Sequence, residues 1–433
     1  MKSATSVDDR FQENLARYGY ELCEVDVGDI TFQAGQAESV HRWFRLTPSF
    51  APAVVRYFID QFDAGPSSLV FDPFSGRGTT VIECQKRGIP TVAFEINPLL
   101  AEVASRSLTW KPRRSKLFGR YREQLLRRIR DARRLDVDDL PRRMGIVLPD
   151  IHNVFRWWQP EVLKNLLIAR QTMRRAEYRT VRHYLWLCVN TAALECANIH
   201  RNHPTITFDD DHDRQIDVGR VVTGELDKIE EDLLGLTRRE LSHCGLGSVS
   251  LGNSCERISF NGTGRRKATH VITSPPYPNR FSYIHQTRPQ LHFMELVDNR
   301  SAATEIDVAT VGGTWGRATS DLAKNDIALP DALVDALDFL PELRAKNRLM
   351  SNYAAKYFVD LNRNIEQLRK VTGKGFRGAY VVGNSRLSGV EIYTEGILGR
   401  LFELGGFEVE RIVMFRKRGG RRRLYECAVC VKG

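Results

Sequence analysis

Two strings in this chain carry side chains whose order could do chemistry. Thr273-Ser274-Pro275-Pro276-Tyr277 follows the apolar run 269–272. Two successive prolines have no N–H to give a sheet, so a strand must end there, while their carbonyls stay available as acceptors. Ser274 adds a hydroxyl and Tyr277 a π-face. Acceptors beside an aromatic face suit a planar ring that carries an amino group. Such an amine is a poor nucleophile, because its lone pair is delocalised into the ring. Holding its two protons on the Ser274 side chain and the Pro275 carbonyl would return electron density to nitrogen, with the ring stacked on Tyr277. Taken alone, the string is equally a rigid Pro-Pro loop.

The second string is Asp72-Pro73-Phe74-Ser75-Gly76-Arg77-Gly78-Thr79-Thr80. It joins an apolar strand, 68–72, to a helical stretch from Thr79 to Arg87 that Gly88 closes. Gly76 and Gly78 let the backbone turn tightly and approach a ligand. The N-terminus of the following helix leaves N–H groups for a carboxylate. Glu95 ends the next strand, 91–95, where an acid can accept hydrogen bonds from ribose hydroxyls. A bare Gly-x-Gly also fits a structural turn or a dinucleotide loop, although the full G-x-G-x-x-G is absent.

With its flanks, this second string resembles the S-adenosylmethionine loop of DNA amino-methyltransferases, roughly D-P-F-x-G-x-G-T-T. The first resembles their S-P-P-Y signature, which goes mainly with cytosine N4; Asp or Asn in place of Ser goes mainly with adenine N6. The resemblance implies S-adenosyl-L-methionine as cofactor, wrapped by Asp72, Pro73, Phe74, Ser75, Gly76, Gly78, Thr79 and Thr80. Glu95 would bind the ribose and Ile96 would pack near the adenine. The lead-in segments His41-Arg42-Trp43-Phe44 and Pro48-Ser49-Phe50 occupy the place that holds the methionine part, which brings Phe50 to the cofactor; a packed lead-in helix with an aromatic anchor is the other reading. Asn253 stands where the family often has an acid that contacts the adenine amine, and it can still accept a hydrogen bond. Ser274, Pro275, Pro276 and Tyr277 would be catalytic, acting on a base flipped from its stack by direct in-line transfer. Tyr380-Val381-Val382-Gly383-Asn384-Ser385 resembles a later strand and loop that line the base pocket. The chain lacks the Pro-Cys pair that cytosine-C5 enzymes use for covalent attack. The likeness covers about 39–110, 248–298 and 376–433.

Motifs of this kind need a scaffold. The strand–turn–helix–strand pattern and the resemblance together predict an α/β, Rossmann-like, seven-stranded class I methyltransferase sheet with a large, mainly helical insertion. The expected divisions are an N-terminal extension (1–38), a cofactor-binding half (39–110), a helical insertion for target recognition (111–247), the catalytic-loop part (248–298), a smaller insertion (299–350) and a C-terminal part with a basic hairpin (351–433). The formal net charge is +11, carried mostly by arginine, whose planar fork suits phosphates and base edges. Arg113, Arg114, Arg127, Arg128, Arg201, Arg421 and Arg422 are the candidate nucleic-acid contacts. Alternatively the arginines of 111–144 pair with Asp131, Asp136, Asp138 and Asp139. The expected partner is double-stranded DNA, in a restriction–modification or solitary system, with a cognate endonuclease left open. Adenine N6 as target, an RNA substrate and a non-catalytic nucleic-acid-binding protein are the alternatives.

No apolar run is long enough to span a bilayer and no signal-peptide core follows Met1, so a cytoplasmic, prokaryotic location is the default. The eight cysteines are scattered and read as reduced thiols. Cys427 and Cys430 fall on a strand, which would point them to opposite faces. His200, His203 and the run Asp209-Asp210-Asp211-His212-Asp213 read as a polar segment over the substrate channel, and no metal is expected.

Overall fold

The computed structural model describes residues 9–28, 30, 32–46, 49–200, 206–209, 215–260, 267–314, 316–418 and 424–433. Its strands are β1 (Leu22–Glu24), β2 (Val70–Asp72), β3 (Thr91–Glu95), β4 (Gly247–Leu251), β5 (Ala268–Thr273), β6 (Thr372–Gly383), β7 (Ser385–Leu387), β8 (Val390–Ile392), β9 (Glu408–Arg418) and β10 (Leu424–Lys432). Eight of them form one sheet in the order β4-β3-β2-β5-β6-β10-β9-β1, and β7 pairs with β8 separately. β10 runs antiparallel to both its neighbours, and every other pairing in the large sheet is parallel.

Side chains alternate across a strand, and the sequence uses both faces. Val70, Ile272, Ala379, Val381, Ala428 and Cys430 pack with Val54, Val55 and Phe58 of the helix Pro52–Gln61. Phe71, Val271, Tyr380, Val382, Val429 and Val431 meet the helices Arg348–Val371 and Thr394–Leu404. Cys427 therefore packs with Phe11 and Tyr425, whereas Cys430 packs with Phe58, and none of the eight cysteines is joined in a disulfide. The helices Pro160–Arg174, Arg179–Glu195 and Val218–Gly235 share one core with Trp43, Val81, Leu99, Val103 and Ile284. The stretch 111–247 is thus mainly helical and shares a continuous apolar core with 39–110.

The sheet has one strand more than expected. β1 comes from the N-terminal extension and pairs in parallel with the edge of β9. A short strand is legible after Tyr20, but the pairing of three residues is made by main chain, so the sequence does not show which edge it joins. The helix Asp9–Ala16 seats Phe11 and Leu15 on Ile412, Met414, Tyr425 and Cys427. The lead-in segment is a 3₁₀ turn at His41–Trp43 followed by the helix Pro52–Gln61, whose Val54, Val55, Phe58 and Ile59 recur at helical spacing and are buried. The helix Val218–Gly235 is followed by a second, Arg238–Ser242, which Thr237 caps. No helix among the described residues is long and apolar enough to cross a membrane.

Candidate active site

The strand order reverses between β2 and β5, the place where open α/β sheets carry their ligand crevice. Both chemical strings leave the sheet there, from adjacent strand ends. Thr273 Oγ1 donates to Asp72 Oδ1 at 2.6 Å, tying the end of β5 to the end of β2. One cavity opens above them. Phe50, Pro73, Phe74, Ser75, Gly76, Thr79, Glu95, Ile96, Asn253, Ser274, Pro276 and Tyr277 all line it, as the sequence reading requires of a single site. Asp72, Gly78, Thr80 and Pro275 are not in the wall.

Those four hold the wall in place or lie behind it. Asp72 is buried, and burial pushes its carboxyl up to about 6 while bonds from Thr273, Thr80 and Phe74 oppose the rise. Gly78 lies at φ 93, and a Cβ there would stand 2.8 Å from Ala104 Cβ, so the turn can approach the helix Pro98–Ser107 only without a side chain. The paired threonines divide their work. Thr79 Oγ1 donates to the Phe50 carbonyl at 3.3 Å and Thr80 Oγ1 to the Ile272 carbonyl at 3.1 Å, linking the turn to the lead-in segment and to β5.

Glu95 sits at the end of β3 with both carboxylate oxygens engaged by main chain. Gly76 N–H donates to Oε2 at 2.7 Å and Asn97 N–H to Oε1 at 2.8 Å. Burial nevertheless pushes its pKa up to about 7. Each oxygen keeps a second lone pair for a hydroxyl donor. Ser75 Oγ is buried with no partner among the described residues. Phe74, Ile96 and Ile284 supply apolar wall. Asn253 also lines the cavity, but its side-chain oxygen already accepts from Cys255 N–H at 3.0 Å.

Arg77, at the variable position of the motif, is buried and reaches back to the lead-in segment. Its Nη1 donates to the carbonyls of His41 (2.5 Å) and Phe44 (3.3 Å), while Nε and Nη2 have no partner among the described residues. Burial lowers its pKa to about 10. The same segment is pinned from the other side, where His41 Nε2 lies 2.7 Å from Glu83 Oε1. Burial lowers the imidazole to about 4 and favours its neutral form. Glu38, His41 and Glu83 bring ligand atoms within 4.8 Å of one another. Arg56 bridges Glu38 and Glu83 at 2.7 and 3.2 Å, and Lys86 adds a contact to Glu83 at 3.0 Å. These carboxylates are already neutralised by protein cations, so the cluster is a structural clasp. Pro48 lies outside the described residues.

At the other loop, Ser274 Oγ donates to the Val381 carbonyl of β6 at 3.1 Å. Ser274 lines the cavity, and with its proton committed the hydroxyl can act there only as an acceptor. Tyr357 OH donates to the Pro276 carbonyl at 2.8 Å, and no described residue donates to that of Pro275. Tyr277 is held by residues that the sequence reading did not place in the site. Its hydroxyl donates to Glu426 at 3.0 Å, and the Arg418 guanidinium lies over its ring, 5.1 Å from the centroid. Arg416, Arg418 and Glu426 all line the cavity. The Arg416–Arg423 run reads as a basic hairpin tip in sequence, but Arg416 and Arg418 belong to β9 and line the cavity, while Lys417 between them is exposed. Asn384 is not in the cavity wall; its carbonyl accepts from Arg418, which is.

The arginine candidates separate by environment. Arg113, Arg114 and Arg127 are exposed, with Arg114 lying over the Tyr178 ring at 4.7 Å. Arg128 is half-buried and donates to Gln171 on the neighbouring helix. Among the described residues, the aspartates named as alternative partners supply one ion pair, Arg142–Asp139 at 3.5 Å. Arg201, Arg421, Arg422, His203 and 210–213 lie outside the described residues.

No family model matches the chain. The type II methyltransferase M.AvaI of Nostoc sp. is 23% identical over 412 residues, covering 89% of this chain and 82% of its own length. M.BsoBI of Geobacillus stearothermophilus is 20% identical across 90% of this chain and 83% of its own. M.MvaI of Kocuria varians is 21% identical across 89% and 86%. This chain is a distant homologue of type II methyltransferases. Its sheet, with one antiparallel strand beside the penultimate one, is the methyltransferase sheet expected from the motifs, extended by β1. Among solved structures, the rRNA methyltransferase AviRa from Streptomyces viridochromogenes aligns over 94% of this chain and 96% of its own, at 8% identity and a TM-score of 0.32. The fold of this methyltransferase homologue rests on its own strand order.

Proposed function

We propose that this protein methylates the exocyclic N4 amine of cytosine in a specific double-stranded DNA sequence, using S-adenosyl-L-methionine. One observation carries the reading: the Asp72–Thr80 turn and the Ser274–Tyr277 loop line a single cavity at the switch point of the sheet, locked together by the 2.6 Å bond from Thr273 to Asp72. The residues present fit the cofactor. Glu95 offers lone pairs to the ribose hydroxyls, Phe74 and Ile96 an apolar slot for adenine, and Ser75 Oγ an unused donor for the polar methionine end. When bound, the cofactor supplies a methyl group on a sulfonium.

The chain's own part is positioning and electrostatics. Ser274 Oγ, its proton on Val381, accepts one amino proton of the target base. The Pro275 carbonyl has no described donor and is the second acceptor, although Pro275 is not in the wall. Tyr277 stacks on the base. Cytosine is favoured by Ser274 standing before Pro-Pro-Tyr. Target recognition is assigned to 111–247, with exposed Arg113, Arg114 and Arg127 on phosphates and Arg128 in a supporting position.

Labelled cofactor offered to DNA and RNA side by side, followed by nucleoside mass spectrometry, tests this. Label in DNA as N4-methylcytosine is expected. N6-methyladenine would overturn the choice of base, and label confined to RNA would overturn the substrate.

A further inference from the structure

Tyr277 is fixed from outside its own loop by the stem of the C-terminal hairpin. Its hydroxyl donates to Glu426 Oε1 at 3.0 Å, and Glu426 Oε2 accepts from Arg416 Nε at 2.6 Å. The Arg418 guanidinium covers the ring at 5.1 Å. Arg418 is itself held, with Nε donating to the Tyr425 carbonyl at 3.1 Å and Nη2 to the Asn384 carbonyl at 2.7 Å. It lies so close to β6 that a Cβ at Gly383 would stand 2.1 Å from Nη2. A guanidinium over an aromatic ring is drawn to its quadrupole and takes up that π-face.

We propose that Arg418 is a positioning residue for the target base, acting through Tyr277. It fills one face of the ring while Glu426 fixes the hydroxyl, so a flipped base stacks on the opposite face alone and in one orientation. This rests on the proposed methyl transfer to a base. A ring with both faces open and its hydroxyl loose would still accept a base, but the amine would sit off the line of attack. The effect therefore belongs to the chemical step and not to cofactor or DNA binding.

The test uses the full chain, labelled S-adenosylmethionine and DNA from a host without DNA methyltransferases. Arg418→Leu is expected to lower kcat roughly tenfold while the KM for DNA and the Kd for cofactor stay within about twofold. Gly383→Ala, which displaces the end of the Arg418 side chain without touching the catalytic loop, is expected to reproduce that split. Arg418→Lys restores part of the rate, because it keeps the charge but not the fork that bonds both carbonyls. An unchanged kcat in Arg418→Leu overturns the proposal. So does a parallel loss of cofactor binding, which would make Arg418 a general prop. A wild-type chain that transfers no methyl to DNA overturns the methyl-transfer reading first, and the unsubstituted protein alone distinguishes that failure.

Discussion

At Glu95, two main-chain N–H groups hold the two oxygens that the proposed ribose contact would share. Only the ionised carboxylate has lone pairs enough to serve all of them. Because burial raises its pKa to about 7, proton uptake competes with ribose binding as pH falls through that value. Cofactor affinity is expected to weaken below about pH 7, by at most about tenfold per pH unit. Glu95→Gln should bind weakly and show a flatter pH profile. Calorimetric titration across pH 6–8 checks both. Ser274 poses the complementary case. Ser274→Ala removes the acceptor aimed at the amine, and is expected to lower kcat roughly a hundredfold with cofactor Kd unchanged. Rapid-quench methyl transfer, with direct cofactor titration beside it, reads the two quantities separately.

The turn between β2 and the helix Thr79–Arg87 is the element on which the site depends. It is clamped at several points: Gly78 against Ala104, Thr79 on Phe50, Thr80 on Ile272 and Arg77 on the lead-in carbonyls. Gly78→Ala would place a Cβ 2.8 Å from Ala104 Cβ at φ 93. We expect it to cost about 1–3 kcal/mol of stability, seen as a lower Tm, and to weaken cofactor binding beyond what the loss of fold explains. A variant with wild-type Tm and wild-type affinity would show that the turn tolerates a side chain. The buried clasp of His41 and Glu83 acts at the same scale. His41 has its pKa lowered to about 4 and Glu83 is held well below the usual carboxylate range. Both contributions to stability are present at neutral pH and are lost as pH falls, His41 from its unfolded value near 6.5 downward.

For the whole molecule, the question is how a chain of net charge +11 meets a polyanion. Arg113 and Arg127 are exposed, and no described residue forms an ion pair with either. If both touch phosphates, Arg113→Gln with Arg127→Gln flattens the slope of log K against log salt by about two. Fluorescence anisotropy with duplex DNA over a salt series measures it, and an unchanged slope removes both from the interface. Arg128 serves as the internal control, since its bond to Gln171 turns it toward the protein.

The sequence by itself determined the chemical strings, the β2–turn–helix–β3 unit and the strand after which the prolines must break off. The helix Thr79–Arg87 falls where its closing glycine places it. These features are local: a proline lacks its N–H and a glycine tolerates φ > 0 wherever they stand. Only the tertiary structure decided which distant groups meet. β1 completes an edge through main-chain pairing, which leaves little mark on side-chain pattern. Arg416 and Arg418 look like part of a basic hairpin tip in sequence, and Glu426 like one residue of the strand that follows it. They face Tyr277 because β10 runs antiparallel between β6 and β9, which returns the hairpin stem to the mouth of the cavity. That juxtaposition spans more than a hundred residues of chain, and no spacing rule within either segment encodes it.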